Sequence, residues 1–182
     1  WNTYQMIYKH TIGNKTFQFK DLKTLLAKAS PERSGDNLAG ISAINAEERM
    51  AAKFALAEIP LKYFLTESLV PYEEDEVTRL IIDTHDKNSF QYISHLTVGD
   101  FRNWILKNTT QNAEIERLRY AFTPEMISAV AKLMRLQDLI IASKKISVIT
   151  RFRNTLGLPQ RFSTRLQPNH PTDDHKGIAA SM

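Results

Sequence analysis

Cysteine is missing from all 182 residues. Its absence excludes disulfides, thiolate metal sites and a cysteine nucleophile within this segment, and it fits a reducing cytosol. No apolar run approaches the roughly 20 residues that a membrane-spanning helix needs. No basic-then-apolar start reads as a signal peptide, so no membrane partner is expected. Without such a leader, the sequons Asn14-Lys15-Thr16 and Asn108-Thr109-Thr110 read as chance matches. The chain also lacks a GxGxxG turn, a phosphate-binding P-loop and a nucleophile elbow. Internal repeats and low-complexity stretches are missing too.

What remains is an ordinary globular composition, 42% hydrophobic and 24% charged. The length suits one domain with a piece of a second. Trp1 is not an initiator residue, which predicts a processed, trimmed or incomplete start. Residues 178–182 read as a helix cut partway, with no glycine, asparagine or proline stop.

Charge is unevenly spread. Between Asp138 and Asp173 there is no acid, but there are Lys144, Lys145, Arg151, Arg153, Arg161 and Arg165. That block carries +6 of a net +4, leaving the rest at −2. Such a block can meet nucleic acid, or an acidic face of the same protein or of a partner. Few aromatics interleave with these bases and no nucleic-acid motif accompanies them, so nucleic acid is not the expected partner.

Along the chain, residues 3–19 read as a β-hairpin. Tyr4, Met6 and Tyr8, then Phe17 and Phe19, alternate with polar residues around Gly13-Asn14. Asp21 can cap a helix whose apolar face is Leu22, Leu25, Leu26 and Ala29, stopped by Ser30-Pro31. Residues 32–40 read as a loop, in which Arg33-Ser34-Gly35-Asp36 suits a tight turn closed by a local aspartate bond. Asn45 and Glu48 form a capping-box-like pair ahead of Met50, Phe54 and Ala57 on one helix face. Pro60 opens a short turn of helix.

The acidic run Glu73-Glu74-Asp75-Glu76 lacks interleaved ligand spacing and reads as a helix N-terminus ahead of Val77, Leu80 and Ile81. Thr97 caps a helix carrying Phe101, Trp104 and Ile105. Thr123-Pro124-Glu125 starts another, with Met126, Val130, Leu133 and Met134 as its buried face. A further helix is expected over residues 137–143.

After Gly157-Leu158-Pro159 the character changes. Phe162-Ser163-Thr164-Arg165-Leu166-Gln167-Pro168-Asn169 reads as a strand ending at a proline. Arg165 and Gln167 fall on one side of it and Leu166 on the other. A polar pair at the C-terminal end of a strand is what a β/α barrel needs where strand ends meet a polar substrate. A guanidinium offers fixed donors for an oxygen; a glutamine amide can accept from an amine. The same pattern also suits an edge strand whose polar residues face water. Asp173-Asp174 then leads into a helix, completing one strand-loop-helix unit. His170, Asp173, Asp174 and His175 form a small histidine–carboxylate cluster in a proline-containing loop, and no metal is expected there. His10, His85 and His95 are scattered, with no nucleophile to pair with. Unaided, these residues reach a helical domain leading into a β/α barrel that binds a small polar ligand.

In order and spacing, several stretches resemble the N-terminal part of the ethanolamine ammonia-lyase large (heavy) subunit family. They are Phe17-Gln18-Phe19-Lys20-Asp21, Arg33-Ser34-Gly35-Asp36 with Leu38-Ala39-Gly40, and Ala51-Ala52-Lys53. Further on come Tyr72-Glu73, Asp75, Val77-Thr78-Arg79-Leu80-Ile81 and Ala129-Val130-Ala131-Lys132. The last are Phe162-Ser163, Arg165-Leu166-Gln167-Pro168-Asn169 and Asp173-Asp174. Gln160-Arg161 and His170-Pro171 depart from the family beside the last motif.

The resemblance implies an α-rich N-terminal region with a small hairpin (1–150), leading into the first strand and helix of a truncated (β/α)8 TIM barrel (151–182). It implies an adenosylcobalamin-dependent radical enzyme converting ethanolamine to acetaldehyde and ammonia. Arg165 would contact the substrate hydroxyl, as the catalytic residue, and Gln167 the amino group. No cofactor-binding residue is expected in this segment, since most cobalamin contacts come from later loops and the small subunit. The implied partners are ethanolamine, the small (light) subunit and other large subunits in a hetero-oligomer. The implied location is the cytoplasm or a bacterial microcompartment lumen. The isolated segment is expected to be inactive. The alternative is a non-catalytic helical assembly module, against which stands the truncated β/α unit, unable to bury its own apolar face.

Overall fold

A computed structural model describes residues 7–146 together with 150–151, 155–156 and 160. The chain divides into two units, Trp1–Ile146 and Ser147–Met182.

The first unit opens with strands β1 (Tyr8–Ile12) and β2 (Lys15–Phe19), paired antiparallel with Ile12 opposite Lys15 and Tyr8 opposite Phe19. That register leaves Gly13-Asn14 as a two-residue loop. Gly13 takes φ +57°, which glycine adopts without steric cost at the first central position of a hairpin turn. The expected hairpin is present; Tyr4 and Met6 lie outside the described residues.

Ten helices follow among the described residues. Helix α1 (Leu22–Ala29) is capped by Asp21, whose Oδ1 accepts from the Thr24 amide at 2.6 Å. Its buried residues are Leu22, Leu25, Leu26 and Ala29, the face that the periodicity predicts. Ser30 leaves the helix with ψ 151°, as a residue before proline must. The expected loop at 32–40 is instead folded in part as a short helix, α2 (Ser34–Leu38). The side chain that ties it down is Asn37 rather than Asp36. Asn37 Nδ2 donates to Glu32 and its Oδ1 accepts from Ser42 Oγ at 2.5 Å.

Helix α3 (Ala46–Ala57) is central, packing on α1, the hairpin, α7 and α9. Asn45 Oδ1 accepts from the Glu48 amide at 2.8 Å, but Glu48 reaches back to Ile44 N rather than Asn45 N. The capping box is thus shifted by one residue. The buried face of α3 is Ala51, Ala52, Ala55 and Leu56, whereas Met50 and Phe54 are exposed. Alanines win this face because the helix is surrounded, and small side chains let its neighbours approach closely.

Pro60 does not begin the next helix. It sits in an antiparallel bridge with Thr97, and α4 (Tyr63–Thr66) starts beyond it. Asp75 caps α5 (Glu76–Asp83) and Asp86 caps α6 (Lys87–Gln91). Thr97 and Asp100 form a complete capping box on α7 (Val98–Leu106), with Phe101 and Ile105 buried. Helix α8 (Asn112–Arg117) leads into a single 3-10 turn, Arg119–Ala121. Thr123 caps α9 (Pro124–Lys132), which buries Met126, Ala129 and Val130. Finally α10 runs Leu136–Lys145.

The core joins Phe19, the inner face of α1, the small face of α3, Leu61, Phe101 and Met126. Gly99 sets the closeness of α7 to α3. A β-carbon there would stand 3.0 Å from the Ala57 carbonyl oxygen and 3.3 Å from its β-carbon. In the second unit, β3 (Thr150–Arg151) and β4 (Thr155–Leu156) form a minimal antiparallel pair. This is a ladder that periodicity does not announce.

Candidate functional site

Arg165 and Gln167 lie outside the described residues, as do His170, Asp173, Asp174 and His175. The described residue nearest to them in sequence is Gln160, which has φ +59°. A glutamine in the left-handed region is uncommon and carries backbone strain. Gln160 therefore stands at a position whose geometry favours glycine. No cluster of metal-ligating residues occurs among the described residues.

The first unit assembles its polar groups in two places. At the C-terminal end of α1, Lys132 Nζ donates to Ser30 Oγ at 2.8 Å, and Ser30 Oγ donates to the Leu26 carbonyl at 2.8 Å. Burial, then the Arg33 charge, pulls the Lys132 ammonium below the usual lysine range; Lys53 adds to this and Asp36 opposes it. A cation relayed through a hydroxyl onto the last carbonyls of a helix is favoured by the helix dipole. Lys132, with Arg33, Asp36 and Lys53 near enough to act on its charge, is therefore accounted for as a helix stop. It brings together two stretches that the sequence singled out separately, 33–36 and 129–132. Nothing local in the sequence signals the pairing of residues 30 and 132.

At the other end of α1, Glu67 takes two short bonds. Its Oε1 accepts from the Leu22 amide at 2.5 Å and its Oε2 from the Tyr8 hydroxyl at 2.6 Å. Burial, and after it the Glu67 carboxylate, pushes the Tyr8 phenol well up. One carboxylate thus ties the hairpin and α1 to the segment after α4. Glu67 has no local signal in the sequence, since a lone acid after a short helix carries no pattern.

The acidic run is a helix start. Asp75 Oδ2 accepts from the Thr78 amide at 2.7 Å and from its hydroxyl at 2.8 Å, and those bonds hold its carboxyl below the usual range. Glu73, Glu74 and Glu76 point to solvent. Alongside α1, a cleft of about 410 Å³ is lined by Lys20, Asp21, Lys23, Thr24, Lys28 and Ile41 among others. None of these groups forms a nucleophile–base pair, so the described residues of the first unit carry scaffold and surface features rather than a constellation for chemistry.

No described helix is long and apolar enough to cross a membrane. The family described as ethanolamine ammonia lyase large subunit matches residues 17–182. The ethanolamine ammonia-lyase large subunits of Escherichia coli K12 and Salmonella typhimurium LT2 are each 40% identical over 177 residues. Those matches cover 97% of this chain but 39% of each relative's length.

Proposed function

Because the chain belongs to the ethanolamine ammonia-lyase large subunit family, we propose that it is an N-terminal portion of a catalytic ammonia-lyase subunit. The subunit's reaction is the conversion of ethanolamine to acetaldehyde and ammonia. Residues 1–150 form its α-rich N-terminal region, and 151–182 enter the first strand and helix of a (β/α)8 barrel. The observation that carries this reading is a family match running from residue 17 to residue 182, and so across Arg165 and Gln167.

In this reading Arg165 holds the substrate hydroxyl and Gln167 its amino group. In a strand, residues two apart share one side, as this reading requires of Arg165 and Gln167. A fixed guanidinium beside the oxygen would favour negative charge building there during amino-group migration. Adenosylcobalamin supplies the radical chemistry of such an enzyme. The described residues do not fit that cofactor. The cleft along α1, about 410 Å³, is the size of a small-ligand pocket, and it is lined by lysines and helix flank. Cofactor contacts belong to later parts of the subunit and to the small subunit, with other large subunits completing the assembly. The location is the cytoplasm or a microcompartment lumen.

The test uses the complete subunit with its small-subunit partner. Arg165→Ala is expected to lower turnover by 100-fold or more, on the order of losing one charge-stabilising donor, while the thermal midpoint stays near wild type. Arg165→Lys should recover part of the loss, since a point charge replaces a fork. Wild-type turnover in Arg165→Ala would sink the assignment. The 182-residue chain alone should release no acetaldehyde from ethanolamine.

A second reading, a non-catalytic helical assembly module, is favoured by one observation: large apolar side chains of α10 stand open, with Leu136 71% and Ile140 50% exposed. Ammonia-lyase turnover by the complete subunit would exclude it.

A further inference from the structure

The segment 30–36, which leaves α1 and begins α2, is flanked by cations from two other helices. From α9, Lys132 Nζ donates to Ser30 Oγ at 2.8 Å. From α3, Arg49 places Nη2 3.6 Å from the Glu32 carboxylate. Lys53 stands four residues further along α3, on the same face as Arg49. Lys53 and Arg33 are both near enough to Lys132 to act on its charge. The place is partly enclosed: Lys53 and Lys132 are half-buried, and the Arg49 side chain is 19% exposed. Three stretches singled out separately in the sequence meet here, 33–36, 51–53 and 129–132, and each brings a cation.

The charges do not balance. Four cations, Arg33, Arg49, Lys53 and Lys132, gather with two acids, Glu32 and Asp36. Glu32 is 66% exposed and shared between Arg49 and Asn37 Nδ2. Among the described residues, Arg33, Lys53 and Lys132 form no ion pair. Closing the last carbonyls of α1 takes one cation, Lys132, and leaves Arg33 and Lys53 without that role. Like charges four residues apart on a helix repel, and repulsion between half-buried charges is screened less than between open ones. Arg49 adds an independent sign: its Nε is buried and has no hydrogen-bond partner among the described residues. A buried polar group is seldom left unmatched, and an ion or ordered water is a usual partner. A small anion with several acceptor oxygens answers all of this at once. Phosphate fits better than carboxylate, because the donors arrive from three segments and a carboxylate has only two oxygens to offer them. Arginine forks suit paired phosphate oxygens, and lysines add point charges.

We infer that Arg33, Arg49, Lys53 and Lys132 form a site for a phosphate group, which joins segment 30–36 to α3 and α9. The inference does not depend on the lyase reading, because it uses only residues of the first unit. A phosphate held there ties together three segments distant in sequence, so it stabilises the fold by mass action.

The experiment is calorimetric titration of inorganic phosphate into the complete subunit with its small-subunit partner, at constant ionic strength. Wild type should bind phosphate saturably, and its thermal midpoint should rise along the same curve. Arg33→Gln and Lys53→Gln should each weaken that binding by about tenfold or more, the loss of one charge-assisted hydrogen bond. Lys53→Arg, which keeps the charge, should retain it. In chloride alone the glutamine variants should melt at or above the wild-type midpoint, since repulsion is relieved. A lower midpoint there would make these side chains struts and overturn the inference. So would the lack of saturable binding by wild type, or binding unchanged in both glutamine variants. Methyl phosphate, titrated in parallel, distinguishes the source: tighter binding than inorganic phosphate assigns the site to a phosphate ester, weaker binding to the free ion. Should the variants unfold, wild type alone decides. Saturating phosphate should protect Lys53 and Lys132 from acylation, and equal labelling with and without phosphate refutes the site.

Discussion

Helices α7 and α5 carry similar apolar spacing yet meet opposite fates. In α7, Phe101 and Ile105 are 1% and 4% exposed, and Val98 and Gly99 press against α3. In α5 no residue is buried, and Val77 and Leu80 stay more than half exposed. Helix α10 behaves like α5: Leu136, Leu139, Ile140 and Ile141 are open and only Ala142 is buried. Amphipathic spacing makes a helix in each case. Burial then depends on whether a neighbour is available, and α3, ringed by α1, the hairpin, α7 and α9, provides one only on certain sides.

The contrast can be broken by mutation. The largest effect is expected for Phe101→Ala, which opens a cavity beside Trp104 and Phe122 and should cost about 3–5 kcal/mol in urea unfolding. Leu80→Ala, the matched change on α5, should stay within about 0.5 kcal/mol; an equal loss at both sites would erase the distinction. Next comes Gly99→Ala. The added carbon meets the Ala57 backbone 3.0 Å away, which should cost roughly 1–3 kcal/mol. No change in the unfolding midpoint would show that α7 and α3 can separate freely.

A smaller loss, about 1 kcal/mol, is expected when Thr97→Ala removes the α7 cap, again read from the urea midpoint. Thr97 also takes part in the bridge to Pro60, so a larger loss would point to that contact.

The finest test is acid. Hydrogen bonds from Thr78 and Ser89 hold the Asp75 and Asp86 carboxyls below their usual range, and bonds from Arg135 do so for Asp138. A folded pKa below the unfolded one, about 3.9 for aspartate, gives stability that is complete above the unfolded value. It is lost as pH falls through the folded values. The urea midpoint should therefore decline below about pH 4, and Asp75→Asn should make the decline shallower. An unchanged acid slope in that variant would assign the loss to other carboxylates.

Much of the architecture is legible in the residues because it is local. A cap and the amide it binds are three residues apart, so Asp21, Asn45, Thr97 and Thr123 each announce the helix they begin. The α1 face reads directly as Leu22, Leu25, Leu26 and Ala29. Legibility fails where the partner is distant or the segment is short. Helix α2 hides in a run that looks like a turn, and α6 and α8 are one to two turns long, too short for a period to emerge. The wrong side of α3 drew attention because Met50 and Phe54 are larger than alanine. Phe54 instead lies against His10 with ring centroids 5.0 Å apart. The candidate substrate residues Arg165 and Gln167 come from strand alternation and family resemblance, and they stand as a proposal for the second unit.

By itself the sequence determined where the side-chain-capped helices α1, α3, α7 and α9 begin, which stretch forms the hairpin, and which family the chain belongs to, because capping and turn chemistry act over a few residues and motif order needs no fold to be read. Only the tertiary structure decided that alanines rather than aromatics face the centre of α3, that Gly99 sets the α7–α3 distance, that Lys132 closes α1 across 102 residues, and that α5 and α10 stay open. Each of these depends on which surfaces meet, and the energy of a surface is settled by its neighbour and by the water it displaces.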